Sequence, residues 1–268
     1  MTTSSRAQED QFALGLSMQA LIDLARTSRR IVAFTGAGIS TESGIPDYRG
    51  PGGVWERRAV PTLVDFVANA ETRRAYWERR RTSYPELRAA SPNAGHRALV
   101  VIERLGRLVA TITQNIDGLH QAAGSEPERV IELHGSAHTI RCMECSRTWP
   151  AAEIQARLSD GESVPTCTAC GGPLRAATVL FGESLPAAAL QRAAAAASAC
   201  DLMLVIGSSL IVNPAAQLPV LAKRSGARIG MINRTATPLD PLADVRVTAD
   251  AGPTLAELAA AMVESASP

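Results

Sequence analysis

Two cysteine pairs, Cys142-x2-Cys145 and Cys167-x2-Cys170, stand 21 residues apart, the spacing of two knuckles that close a tetrahedral thiolate shell around Zn2+. A redox role is the competing chemistry for any single CxxC; two matched pairs, each followed by turn-forming residues, favour the metal. Four thiolates leave no position open for water or substrate, so such a zinc is structural. The fifth cysteine, Cys200, stands alone at a helix end and reads as packed core. A second chemistry is suggested by Gly36-x-Gly38, directly after the apolar run IVAF. The glycines permit a tight turn and bring backbone amides close to a pyrophosphate, whose charge a following helix N-terminus would favour. Thr41 stands where a dehydrogenase fingerprint has its third glycine, so the motif by itself leaves nucleotide binding and an ordinary turn both open. Further on in the same loop, Arg49 offers a planar fork for phosphate.

A third group is ITQNIDGLH, residues 112–120, which places two amides, a carboxylate and an imidazole at the end of an expected strand. Parallel sheets put their binding sites at such ends, although an Asn-Asp turn capping a helix suits the same residues. His134, in IELHG, follows a strand and precedes a glycine, which fits a general base with room for substrate beside it. His96, His120 and His138 read as structural histidines.

These residues need a scaffold, and the apolar pattern supplies an α/β one. Met18, Leu21, Ile22 and Ala25 recur at helical spacing before the strand-like IVAFT. Runs at 107–113, 201–210 and 227–233 alternate with alanine-rich or leucine-rich helical segments, and TLAELAAAMVESA forms the last helix. That alternation predicts a parallel sheet covered on both faces. Two stretches break the rhythm. Residues 51–92, with the basic run RRAYWERRR, read as a helical insertion, and 136–178, with four of the cysteines, read as a small zinc-binding lobe.

At 268 residues and 46% apolar content, the chain is long enough for a sizeable core. With 27 basic against 26 acidic residues, no overall field recruits nucleic acid or an anionic membrane. No stretch has the length and apolarity of a membrane span, and MTTSSRAQEDQ lacks the basic-then-apolar order of a signal peptide. A cytoplasmic protein is expected.

Taken together and in order, GAGISTESGIPDYR, PNAGH, TQNIDGLH, LHG, the two CxxC pairs, LFGESLP, GSSLIVNPAAQLP and INRT resemble the sirtuins, the NAD-dependent protein lysine deacylases, over about residues 16 to 262. The resemblance implies an α/β fold with a Rossmann-like parallel sheet, a small zinc-binding lobe and a helical insertion. The NAD-binding domain would be discontinuous, over 14–50, 93–135 and 179–262, with flexible termini at 1–13 and 263–268. It implies NAD as cosubstrate, one structural Zn2+ held by Cys142, Cys145, Cys167 and Cys170, and an acyl-lysine protein or peptide as substrate. Neither nucleic acid nor membrane is expected as a partner. By matching motifs, Gly36, Ala37, Gly38 and Arg49 hold the phosphates, with Asp47 beside the cofactor; Gln114 meets the nicotinamide ribose. Asn115, Ile116 and Asp117 form the nicotinamide pocket, with Asn115 and Asp117 counted as catalytic beside the general base His134. Gly207, Ser208, Ser209 and Asn233 contact the phosphate and adenosine side, and Ala251 lies near the adenine. In the reaction so implied, the acyl oxygen attacks C1′ of the ribose, His134 accepts a ribose proton, and free lysine and O-acyl-ADP-ribose are released.

Within the family, GIPDYR, the spacing to PNAGH and GSSL resemble the class II branch, linked to longer or branched acyl groups, lipoyl-lysine and ADP-ribosyl transfer. The short stretch between the cysteine pairs and LFGES, where that branch has an Asp, depart from it. Mono-ADP-ribosyl transfer on the same fold is thus the alternative activity. Tyr76 and Arg79, one helical turn apart, resemble a pair that reads an acyl carboxylate in desuccinylating sirtuins; aromatics packed on the core beneath a solvated basic helix is the favoured reading. A dehydrogenase would need an acidic residue about 20 positions after the glycine turn, where Trp55, Glu56 and arginines fit poorly. A zinc-ribbon nucleic-acid module is disfavoured by the near-neutral charge.

Overall fold

The computed structural model describes residues 3–47 and 62–266. From the N-terminus, helix α1 (Thr3–Thr27) leads into strand β1 (Ile31–Thr35). Helices α2 (Leu63–Ala68), α3 (Ala70–Ala89) and α4 (Ala94–Arg104) precede β2 (Leu108–Thr113), the single turn α5 (Leu119–Ala122) and β3 (Val130–Glu132). The cysteine-bearing segment holds β4 (Gly135–Cys142), β5 (Thr148–Pro150), α6 (Ala151–Ser159) and β6 (Leu174–Thr178). The chain then adds α7 (Ala187–Ala199), β7 (Leu202–Ile206), α8 (Gln217–Arg224), β8 (Arg228–Ile232), β9 (Val245–Val247) and α9 (Ala251–Ala266).

Six strands form one parallel sheet in the order β3-β2-β1-β7-β8-β9. Every residue of β1 and β7 is buried, because helices cover both faces, which is why IVAFT and LMLVI are continuous apolar runs. Ile31 and Ala33 face α1, α4 and α9, where Leu21, Leu99, Leu255 and Leu258 pack; Val32 and Phe34 face α7 and α8, with Ala193, Ala197 and Leu218. Chain order runs outward in opposite directions from β1 and β7. This pair is the topological switch point, and the crevice beyond its carboxyl ends is where such sheets bind ligands.

The second sheet is antiparallel, in the order β5-β4-β6. Its core includes Ile140, Leu174, Ile154 and Leu158, closed from α3 by Trp77 and Tyr84. The arginines of α3 are only partly a solvated face. Arg73 donates to the Phe66 and Val67 carbonyls at the end of α2, Arg80 to the Ala137 carbonyl, and Arg81 to the Glu162 carbonyl. Long basic side chains thus reach back to carbonyls that packing leaves without partners.

Three expectations need correction. The boundary drawn at residue 14 falls inside α1, which already begins at Thr3, since SRAQEDQ contains good helix formers and no glycine or proline. The boundary at 262 likewise falls inside α9. No α-helix starts directly at the glycine turn, within residues 36–47; two single 3-10 turns, Ala37–Ile39 and Thr41–Ser43, take its place. Gly44 adopts φ 82° and Pro46 disfavours helical geometry at Ile45, so the segment cannot propagate as a helix.

Trp77 is 1% exposed and its indole nitrogen has no hydrogen-bond partner among the described residues, so its contribution is packing, the edge-on contact with Tyr76 included. Trp77→Ala is expected to lower the unfolding free energy by about 3–5 kcal/mol, read from the urea midpoint. Trp77→Phe should lose less than half as much, because no donor is sacrificed.

Candidate functional site

At the switch point, the turns after β1 and β7 lie against each other. Gly36 donates its amide to the Ile206 carbonyl at 3.0 Å and Gly38 to the Gly207 carbonyl at 2.9 Å. A Cβ on Gly36 would fall 2.7 Å from the Gly207 oxygen, one on Gly38 2.6 Å from the Gly207 Cα, and one on Gly207 2.5 Å from the Ile39 nitrogen. None of these distances occurs between real side chains and backbone, so only glycine fits at all three positions. The site is thereby bounded by bare backbone, the surface that pyrophosphate recognition needs.

The loop after β2 supplies the polar groups. Asn115 donates through Nδ2 to the Gly36 carbonyl and to Ser40 Oγ, both at 3.1 Å. Ser40 in turn donates to Asp117 Oδ2 at 2.7 Å, and Asp117 Oδ1 accepts the Leu119 amide at 3.0 Å. The Asp117 carboxylate therefore lies behind the cavity wall and acts on it through Ser40 and Asn115. Gln114 donates to Ser208 Oγ at 2.8 Å, and Asn233 Nδ2 to the Ser208 carbonyl at 3.0 Å. The amides after β2 and β8 are thus both tied to the turn after β7.

His134 follows β3. Its Nδ1 lies 2.8 Å from the Gln114 carbonyl; a carbonyl only accepts, so Nδ1 carries the proton and Nε2 the lone pair. Burial lowers the imidazole pKa below its ordinary value, partly opposed by the Gln114 carbonyl, and the ring is neutral at pH 7. Deeper in the core, burial pushes His96 down to about 4 and His120 to about 3. Their rings sit 5.0 Å apart, both neutral, which fits the structural reading given to them. His120 Nε2 lies 3.0 Å from Thr35 Oγ1, and the Asn93 amide donates to His96 Nδ1 at 3.3 Å.

A cavity of about 610 Å³ opens over these groups, a size typical of small-molecule sites. Of the residues singled out from the sequence, Gly36, Ala37, Gly38, Asp47, Gln114, Asn115, Ile116, His134, Gly207, Ser208, Ser209, Asn233 and Ala251 line it. Asp117 stands one layer behind, and Arg49 lies outside the described residues. Ala251 opens α9, whose Gly252 amide is bound by Glu42 Oε1 at 2.7 Å, which ties the first loop to the last helix.

Sequence reasoning left out Ser40 and Arg234, although both lie in motifs whose other members were assigned, and it gave no role to any residue of the loop after β6, although LFGESLP was among the motifs that carried the resemblance. Arg234 lines the cavity and lies 4.0 Å from Asp47 and 3.6 Å from Asp250. The loop from Thr178 to Glu183 contributes an apolar wall with Val179, Leu180 and Phe181. Glu183 anchors that loop: both its oxygens lie 2.6 Å from Arg175 Nη2, Arg141 also pairs with it, and it accepts the Leu180 amide. Burial raises the Glu183 pKa, but the Leu180 amide and the two arginines outweigh it and hold the carboxyl below its ordinary value. Tyr76 and Arg79 are not among the lining residues; the Tyr76 hydroxyl accepts the Ala176 amide at 3.0 Å and its ring packs edge-on against Phe66 and Trp77.

The four cysteines come together in the second sheet, with every Sγ within 4.8 Å of the others. Cys142 and Cys170 Sγ are 3.5 Å apart, and Cys145 and Cys167 Sγ 3.7 Å, close to the separation of two corners of a tetrahedron with Zn–S bonds of about 2.3 Å. The amides of Glu144 and Cys145 point at Cys142 Sγ and that of Ala169 at Cys167 Sγ, as thiolate charge requires. The donor set fits one Zn2+ with no open position. Cys200, buried at the end of α7 with its thiol on the Ala197 carbonyl, takes no part.

Comparison with known proteins agrees with this arrangement. Residues 36–214 match the model of the Sir2 family. NAD-dependent protein deacetylase 1 of Bradyrhizobium diazoefficiens is 47% identical over 89% of this chain and 93% of its own length. NAD-dependent protein deacylase 2 of Archaeoglobus fulgidus is 41% identical over 88% of this chain and 92% of its own. A solved structure described as Sir2-p53 peptide-NAD+ superposes with a TM-score of 0.81 at 37% identity, covering 92% of this chain and 97% of that one.

Because the thiolate shell closes the small antiparallel sheet, a strong chelator is expected to remove one zinc per chain and lower the thermal midpoint. Cys167→Ser should reproduce both effects. Zinc content by atomic absorption, followed beside the melting curve, checks the pairing of the two losses.

Proposed function

The chain belongs to the Sir2 family and is an NAD-dependent protein deacylase, and from that premise we propose which of its residues carry the reaction and which acyl groups it accepts. NAD supplies the activated ribose carbon that receives the acyl oxygen of the substrate lysine as nicotinamide leaves. Gly36, Ala37 and Gly38, with Gly207 and Ser208, present backbone and hydroxyl groups to the phosphates, and Arg234 adds a cation at their edge. Gln114, held by Ser208, orients the ribose. Asn115 and Ile116, kept in place by Asp117 through Ser40, receive the carboxamide, and Ser209, Asn233 and Ala251 bound the adenosine side. His134 accepts a ribose proton at Nε2. The observation that carries this reading is the Nδ1 bond to the Gln114 carbonyl, which fixes the tautomer with its lone pair available to substrate.

The acyl group meets the apolar side of the cavity, with Ile116, Val179, Leu180, Phe181 and Ile211. Arg234 is the single cation lining the cavity among the described residues, and Asp47 and Asp250 flank it on the nucleotide side. A carboxylate at the end of the acyl chain would be buried unpaired, which is costly. We infer a preference for neutral acyl groups and no carboxylate reading by Tyr76 and Arg79. The packed clusters support a discontinuous NAD-binding domain that takes in the whole of α1 and α9 and runs up to 50, over 93–135 and from 179 onward, with 51–92 as a helical insertion and 136–178 as a zinc lobe. Four cysteines arranged as metal ligands suit a reducing compartment, in keeping with a cytoplasmic place of work.

Zinc-loaded protein given NAD and a peptide panel is expected to release nicotinamide with acetyl-lysine and longer neutral acyl-lysines, forming O-acyl-ADP-ribose by mass spectrometry. Succinyl-lysine should be slower by at least about tenfold, given the cost of an unpaired buried carboxylate. Nicotinamide release with ADP-ribosylated protein and no deacylated peptide would establish the transferase alternative instead.

His134→Ala should lower kcat by about 10²–10⁴ while leaving ADP-ribose affinity close to that of the wild type. Since burial depresses the His134 pKa, the neutral base persists to lower pH than for an ordinary imidazole. The acid limb of kcat/KM is therefore expected below about pH 6.5, and a limb above that value would contradict the assignment.

A further inference from the structure

The nicotinamide-side loop is held by a row of donors from the segment that follows β3. His134 Nδ1 binds the Gln114 carbonyl at 2.8 Å, the Ala137 amide binds the Ile116 carbonyl at 2.9 Å, and His138 Nε2 binds the Asp117 carbonyl at 2.7 Å. Residues 134–138 thus run along 114–117 with three carbonyls occupied by three donors. The second of these ties is backbone to backbone and does not depend on a side chain. The first belongs to the proposed base. The third is a side-chain bond from a residue that does not line the cavity.

We propose that His138 is a positioning residue for the nicotinamide pocket, an inference that rests on the assignment of Asn115, Ile116 and Asp117 to that pocket. A carbonyl only accepts, so Nε2 of His138 carries a proton, and the other ring nitrogen is Nδ1. That nitrogen faces the Tyr84 hydroxyl at 3.4 Å, with the two rings edge-on at 5.8 Å. Tyr84 is buried in the core beneath α3, and Arg80 lies 4.5 Å over its ring while donating to the Ala137 carbonyl at 2.6 Å. Helix α3, the start of β4 and the loop after β2 are therefore joined at one imidazole. The loop is shaped for this contact: Gly118 has φ 69°, and a Cβ there would lie 3.0 Å from His138 Cδ2. Losing the ring would free the Asp117 carbonyl and the backbone on which the Asp117 carboxylate reaches Ser40. It would leave untouched the glycine turns and Asn233 on the nucleotide side.

The test uses the zinc-loaded full chain, its His138→Ala, His138→Gln and Tyr84→Phe variants, exchange of labelled nicotinamide into NAD in the presence of acetyl-lysine peptide, and calorimetric titration with ADP-ribose. His138→Ala is expected to raise the nicotinamide concentration for half-maximal exchange about tenfold, the scale of one buried hydrogen bond, with ADP-ribose affinity unchanged. His138→Gln, whose amide can donate to the same carbonyl, should recover most of the loss, and Tyr84→Phe should show a smaller shift. A nicotinamide constant unchanged in the alanine variant, an equal loss of ADP-ribose affinity, or a glutamine variant no better than alanine would overturn the role of His138 while leaving the deacylase reading intact. A wild type that binds ADP-ribose but exchanges no nicotinamide would overturn the pocket assignment itself.

Discussion

Everything in the site depends on how closely β1 and β7 approach at their carboxyl ends. Gly36 and Gly38 meet Gly207 at distances where no Cβ fits, and two backbone hydrogen bonds hold the turns together. The contact turns a sheet edge into a surface of exposed amides and carbonyls. Because chain order reverses between these strands, their connections run to opposite sides, and the crevice stays open for a ligand.

Around that contact, side chains act mainly by fixing one another. Asn115, Ser40 and Asp117 form a buried chain of hydrogen bonds, and Gln114 and Asn233 both end on Ser208. Such a network holds a binding geometry in place before the ligand arrives, since its polar groups already have partners. The opposite wall is placed by charge. Arg175, 1% exposed on its side chain, keeps Glu183 under the apolar loop. A buried ion pair is a poor source of net stability but a strong constraint on position, because breaking it leaves a charge without a partner. The zinc-bearing sheet thereby sets where Val179, Leu180 and Phe181 stand, although its metal is far too enclosed by thiolate to touch substrate.

The histidines show how environment separates similar residues. His96 and His120 are neutral because they are buried, with no open face for chemistry. His134 is also depressed by burial, but its Nδ1 bond to a backbone carbonyl leaves Nε2 at a cavity wall. His138 makes the same kind of bond to the adjacent loop carbonyl, and its other nitrogen faces a tyrosine instead of the cavity.

Much of this was legible in the chain. The apolar runs at 31–34, 107–113, 201–210 and 227–233 specified a parallel sheet, since strands covered on both faces must be apolar throughout. Cysteine spacing specified a closed metal shell because ligand number and bond length are local chemistry. The glycines and the polar residues at strand ends marked the crevice. What the sequence could not contain is distance between segments far apart in the chain. Only the tertiary structure put Asp117 behind the wall, made Ser40 its link to Asn115, spent the α3 arginines on carbonyls, and turned Tyr76 toward a backbone amide. Each of those outcomes depends on which donor lies within about 3 Å of which acceptor, and hydrogen bonds of that length are decided by packing, after the periodicity of the chain has already chosen the fold.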